Sequence, residues 1–259
     1  MKIFSSFITS RLVATLSALA VVMVGCGAGI WQLNRADQKI RLGESLEARL
    51  ALPVLNANSS PMSLDLAMER RITAQGRFLV EEAIWLDNRP RPIPVVGSNA
   101  TQSGFYLMMP LKLDGQETVL WVNRGWAPRN NENRIQLPPV DTPSGSITIE
   151  GVGFPHPGRV YELGQKEATR SKPRIEQNFN LAEEAQSHGW AQLPFILRES
   201  SSTKNDGLFR NWPLPTNGVD RHYAYAFQWF ALALVGFVFW LIGGLVKYRR
   251  GIGVNGDRV

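Results

Sequence analysis

Two long stretches without a charged residue or histidine, one near each end, constrain this chain more than any other feature. Leu12 to Asn34 and Tyr223 to Val246 contain no Asp, Glu, Lys, Arg or His, and each is roughly 23 residues, enough to cross a bilayer core of about 30 Å as a helix. The intervening segment, roughly 190 residues, suits one ordinary domain with its own core. The reading is therefore a cytoplasmic N-terminus (1–11), a first transmembrane helix (12–34), an outer domain with a helical stalk (35–222), a second transmembrane helix (223–246) and a cytoplasmic tail (247–259).

The formal charge of +6 fits this arrangement better than a nucleic-acid partner. Most of the excess sits at the ends, in Lys2 and Arg11, then in Lys247, Arg249, Arg250 and Arg258 against Asp257. The central segment is left close to neutral and offers no electrostatic footprint for DNA or RNA. Lys247, Arg249 and Arg250 directly follow the second apolar stretch, so the positive-inside rule puts that end in the cytoplasm and, with two spans, the N-terminal end as well. The expected location is the bacterial inner membrane, with the central domain in the periplasm.

Cys26 is the sole cysteine, so the outer domain is held by packing without an internal disulfide. Met23-Val24-Gly25-Cys26 also looks like the site at which lipoproteins are cut and acylated. That alternative is a periplasmic lipoprotein-like binding module with one remaining span. Against it, the apolar run continues past Cys26 to Trp31, longer than a typical signal core, and Trp31 suits an interfacial anchor.

Arg35 to Leu52 keeps helical spacing through Leu42, Leu46 and Leu50, which predicts an amphipathic stalk ending at Pro53. The central domain reads as mainly antiparallel β structure with some helix, an α+β fold arranged as a compact sheet or barrel. Strands are expected at Arg71–Leu79, Ala83–Asp87, Ile147–Phe154 and Phe195–Glu199. Asp114-Gly115 joins Gly104–Leu113 to Gln116–Trp126 as a hairpin, because Asp-Gly accepts the left-handed turn conformations. Asn180, Glu183 and Gly189 bracket a short helix over Leu181–His188. Loops are expected at Asn56–Ser63, Pro90–Gly104 and after Glu199.

No catalytic constellation is visible, and an enzyme is not expected. His156, His188 and His222 are scattered, and HExxH, GxSxG and phosphate-loop patterns are absent from the sequence. Gly25 and Gly29 form a GxxxG pair with Gln32 on the same helical face, a surface that admits a second helix at short range. At the start of the second span His222, Tyr225 and Trp229 share a face. Two readings fit them: an aromatic belt at headgroup level, or an axial imidazole for haem iron, with Arg35 and Arg221 near enough in depth to attract propionates.

Four motifs together resemble the SURF1/Shy1 family of cytochrome c oxidase assembly proteins. They are Gly29-Ile30-Trp31-Gln32-Leu33-Asn34-Arg35; Gly76-Arg77-Phe78 with Leu86-Asp87-Asn88-Arg89; Gly104-Phe105-Tyr106 leading to Val122-Asn123-Arg124-Gly125-Trp126-Ala127-Pro128; and His222-xx-Tyr225-xxx-Trp229-Phe230. They occur in the family's order over nearly the whole chain. Met109-Pro110 replaces the usual Thr-Pro, Tyr223 stands where Leu is common, and the Pro90–Gly104 stretch looks long for the family.

The resemblance implies a non-enzymatic role in maturing a haem-copper oxidase. It makes haem a the expected transient cofactor, His222 the expected ligand, and oxidase subunit I the expected partner, with haem a synthase as a further candidate beside membrane lipid. Trp31, Gln32, Arg124, Gly125 and Trp126 carry over as family-pattern residues, for Arg124 and Gly125 alongside the simpler reading of an edge charge and a strand bulge. The alternative role is a structural docking protein that stabilises subunit I without touching haem.

Overall fold

A computed structural model describes residues 11–59, 61–93, 102–130, 132–133, 136–161, 172–200, 205–213, 216 and 218–256. The chain divides into two compact units, a helix pair drawn from 1–44 with 214–259 and a β domain of 45–213.

Helix α1 spans Leu12–Leu50, continuous through Cys26, and α4, the last helix, spans Val219–Gly256. Both are long and apolar enough to cross a membrane. They run antiparallel, because Arg11 donates to the Trp240 carbonyl while Gly43, farther along α1, lies against Thr216. The positions they shield from the surroundings recur at alternating intervals of three and four, as Thr15, Ala18, Val22, Gly25, Gly29, Gln32 and Ala36 on α1 and His222, Ala226, Trp229, Ala233, Gly236 and Trp240 on α4. This 3.5-residue period keeps one seam against the other along both helices. Outside the seam the pair exposes large apolar side chains, among them Val24, Ile30, Phe227, Leu234 and Phe239. Such a surface calls for lipid.

The β domain contains β1 (Leu55–Asn56), α2 (Leu64–Ala67), β2 (Arg71–Phe78), a 3-10 turn (Val80–Glu82), β3 (Ile84–Pro90), β4 (Ser103–Leu113), β5 (Val119–Pro128), β6 (Ile147–Phe154), β7 (Arg174–Glu176), α3 (Leu181–His188) and β8 (Gln192–Glu199). Five of these strands close a ring in the order β2-β6-β8-β5-β4, shut by pairing of β2 with β4. Gly76 is the corner: it pairs with Ile147 of β6 and with Leu113 of β4, and a Cβ there would collide with the Lys112 carbonyl. Closure removes free edges from those strands. Strand β3 continues the sheet beyond β4, and β1 and β7 add short parallel strands at its margins.

Pairing is mainly antiparallel, as the sequence suggested, but β5 runs parallel to β8. The hairpin, the alternating β6 and the helix Leu181–His188 are all present, with Asn180 Oδ1 accepting from Ala182 N–H and Gly189 in the left-handed region at φ 64°. Strands expected at Ala83–Asp87 and Phe195–Glu199 are longer, because β3 continues to Pro90 and β8 begins at Gln192. Most of the expected Pro90–Gly104 loop, and the start of the loop after Glu199, lie outside the described residues.

The barrel interior is packed with Ile72, Phe105, Leu107, Leu111, Leu120, Phe195 and their neighbours, and a second cluster on the other face joins Ile84, Leu86, Met108, Trp121, Phe179 and Ile196. Both faces of β5 are therefore covered, which explains why it is buried almost end to end rather than alternating.

Candidate functional site

The seam of the helix pair holds His222 and Trp229 of the residues singled out for ligand chemistry, together with Gln32. Its glycines set the spacing: a Cβ on Gly25 would lie 2.8 Å from Ala233 Cβ and 2.9 Å from the Trp229 carbonyl, and one on Gly29 would lie 2.6 Å from the Phe230 ring. Only hydrogen at these positions lets the backbones approach so closely.

One helical turn beyond Gly29, the close approach brings two polar side chains together. Gln32 Oε1 lies 2.7 Å from His222 Nδ1. Gln32 is 9% exposed, while His222 is half-buried. An amide oxygen can only accept, so Nδ1 of His222 donates in this contact and Nε2 is the nitrogen that would be left to bind a metal. A histidine that binds a metal through one nitrogen almost always donates the other N–H to such an acceptor. The arrangement therefore fits an axial donor for haem iron.

The other predicted ligand residues are less concentrated. Trp229 is half-buried in the seam, but Tyr225, although one helical turn from His222, is 52% exposed. Arg221 is exposed. Arg35 stays on its own helix, donating to Gln38 Oε1 at 3.0 Å and lying 5.7 Å from the ring of Trp31, which is itself exposed. These exposed residues have the composition of an interfacial belt. Among the described residues no group of three or more His, Cys, Asp or Glu is placed to hold a metal ion.

Arg124, Gly125 and Trp126 belong to the β domain. Register slips by one residue where Met108 and Leu107 of β4 face Asn123 and Gly125 of β5, so Arg124 is the extra residue of a bulge. Gly125 has φ 146°, and a Cβ on it would press on Leu208, Phe209 and Arg210. The bulge leaves Arg124 only 2% exposed, with its guanidinium donating to Thr142 Oγ1 at 2.5 Å and Asp206 Oδ2 at 3.1 Å. Trp126 is fully buried and donates to the Arg89 carbonyl at 2.9 Å.

Leu86-Asp87-Asn88-Arg89 is a bulge of the same kind, with Asn88 at φ 59° and Arg89 buried, donating to the carbonyls of Gly158 and Gln177. Two of the four motifs thus mark places where a strand is deformed to bury an arginine.

Sequence reasoning missed the partners of Arg124. Asp206 bridges Arg124 and Arg210, and Glu199 lies 3.9 Å from Arg124 Nε and 3.4 Å from Arg210 Nη2. Burial depresses the Arg124 pKa and raises that of Glu199. Burial also pushes Asp206 upward, but Arg210, the Leu208 N–H and Arg124 together outweigh this and hold it below the usual range. These partners come from separate segments, with no local pattern to mark them.

The model of the SURF1 family matches residues 19–234. A SURF1-like protein of Rickettsia bellii is 26% identical over 243 residues, covering 88% of this chain and 87% of that protein. Surfeit locus protein 1 of Arabidopsis thaliana is 33% identical over 118 residues, 42% of this chain and 32% of that protein, and its Homo sapiens namesake is 28% identical over 122 residues, 44% and 41% respectively. The chain thus spans less than half the length of the plant and human relatives in those matches.

Proposed function

Because the chain belongs to the SURF1 family, whose members are generally cytochrome c oxidase assembly factors, we propose that it is a non-enzymatic membrane assembly factor that holds haem a through His222 and aids its insertion into subunit I of a haem-copper oxidase. The observation that carries this reading is the 2.7 Å contact between Gln32 Oε1 and His222 Nδ1. It holds the imidazole at Nδ1, so that Nε2 is the nitrogen an axial haem ligand would use. A single histidine is also a suitable number: a carrier must release its cargo, and a second strong ligand would oppose release.

Lys247 and Arg249 at the end of the apolar part of α4, and Arg11 at the start of α1, support cytoplasmic ends for both helices and a periplasmic β domain in the inner membrane. In that orientation Gln32 and His222 lie toward the periplasmic ends of the spans. Haem a synthase, the membrane protein that would supply the cofactor, is the partner expected upstream of subunit I.

The same hydrogen bond favours a second reading, because a partly buried Gln–His pair also fastens two helices together without any ligand. In that reading the protein docks on subunit I and stabilises it. Haem per assembled oxidase in a deletion strain separates the two. A haem carrier predicts oxidase that is assembled but short of haem a; fewer oxidase molecules, each with its full complement, would favour docking alone.

A further inference from the structure

The outer face of the β domain carries two arginines that no carboxylate neutralises. Arg198 on β8 lies two residues beyond Ile196 on that face, and its guanidinium carbon is 3.7 Å from the centre of the Phe154 ring and 5.0 Å from that of Trp212. The side chain makes no hydrogen bond or ion pair among the described residues, its Nε being buried without a partner. Glu199, the next residue, points to the opposite face and is taken by Arg124 and Arg210. Arg89 on β3, 3% exposed, donates to two backbone carbonyls and also has no acidic partner among the described residues. Burial depresses the pKa of both groups. Stacking on aromatic rings returns only part of what such a charge loses on leaving water.

Tyr106 links the two arginines. Its ring centre is 5.6 Å from the Arg89 guanidinium carbon and meets Trp212 edge-on at 5.5 Å, and both arginines act electrostatically on its hydroxyl. Burial raises the Tyr106 pKa, so the hydroxyl stays protonated, and among the described residues nothing accepts from it. The half-buried Phe154, Trp212, Tyr106 and Arg198 thus form an aromatic-walled surface with three free donors, the two Nη nitrogens of Arg198 and the Tyr106 hydroxyl. A planar, two-oxygen acceptor answers a guanidinium fork best, and one negative charge costs less to bring among aromatic rings than the two of a phosphate. We propose that this face binds a carboxylate, with its two oxygens on the Arg198 fork and one of them accepting from the Tyr106 hydroxyl. The site lies wholly within the β domain and does not depend on His222 or on haem.

Calorimetric or NMR titration of the full chain in non-ionic detergent tests it, with phenylacetate, Nα-acetyl-glutamate methylamide, phenylacetamide and inorganic phosphate as probes. Both carboxylates are expected to bind saturably, the uncharged amide not at all, and phosphate more weakly than either. Arg198→Lys keeps the charge but loses the fork, and is expected to weaken the carboxylates by about tenfold or more. Tyr106→Phe removes one donor and is expected to weaken them by about three- to tenfold, and it reads the site independently should Arg198→Lys fail to fold. Tighter binding of the glutamate derivative assigns the site to an acidic side chain of a partner polypeptide, and tighter binding of phenylacetate to a free aromatic acid; either supports the carboxylate site. Absence of saturable carboxylate binding, phosphate binding tighter than both carboxylates, or wild-type affinity in both variants overturns it.

Discussion

Gln32 Oε1 sits 2.7 Å from His222 Nδ1, so a side chain of one helix holds the imidazole of the other. Under the proposed haem-binding role, Gln32 is a positioning residue for Nε2 of that imidazole. Gln32→Leu releases the ring and is expected to lower the affinity for haem by about ten- to a hundredfold, the usual cost of removing such a partner. Titration of haem into the purified variant and wild type, followed by visible absorption, measures it. Unchanged affinity would mean that the imidazole does not depend on Gln32.

The seam depends on glycine. Gly25→Val places methyl groups where Ala233 and the Trp229 carbonyl already lie, so the helices must move apart. Spin labels at the exposed Met23 and Leu234, in a Cys26→Ser background, are expected to show a longer mean distance in the variant. An unchanged distance would show that the glycine contact does not set the spacing.

Arg124 and Gly125 act together. Removing one member of a buried ion cluster typically costs about 3 to 5 kcal/mol, and Arg124→Ala is expected to destabilise the β domain by that order. Gly125→Ala forces a side chain onto φ 146° against Phe209 and Arg210 and is expected to cost about 1 to 3 kcal/mol. Denaturant titration followed by tryptophan fluorescence reads both. A neutral Gly125→Ala would show that the bulge relaxes without cost.

Glu199 should also leave a mark on the pH dependence of stability. Its folded pKa is raised by burial, so its contribution is fully present below the ordinary glutamate value and is lost as pH rises through the folded value. Asp206 has the opposite sign, its contribution being lost as pH falls through its depressed value. Glu199→Gln mimics the protonated acid and removes only the first effect. Its melting temperature relative to wild type is therefore expected to rise as pH increases from about 4 to about 8. A difference that stays flat or falls would contradict the assignment.

Much of this architecture was legible because it is local. The two spans follow from uninterrupted apolar runs, the α1 seam from Gly25, Gly29 and Gln32 at helical spacing, and α3 from the Asn180 cap and Gly189. The Asp114-Gly115 hairpin was similarly explicit. What escaped was non-local. β1 and β7 are too short to carry a periodic signal, and the parallel pairing of β5 with β8 depends on segments far apart in the chain. Gly125 suggested a bulge, but nothing near it announced Glu199, Asp206 and Arg210 as the charges that receive Arg124. At the helix pair, the sequence put Gln32 on the Gly25–Gly29 face and His222 at the start of the second span, while their direct bond required the seam geometry. It also grouped Tyr225 with His222, whereas the winding of the helices leaves Tyr225 outside the seam.

The most direct test is the visible absorption spectrum of the full chain purified from cells that synthesise haem a, taken for wild type and His222→Ala. The account predicts bound haem a in the wild type and its loss in the variant, with Gln32→Leu between them. Wild-type protein free of haem, or a variant that retains a full haem spectrum, would contradict it.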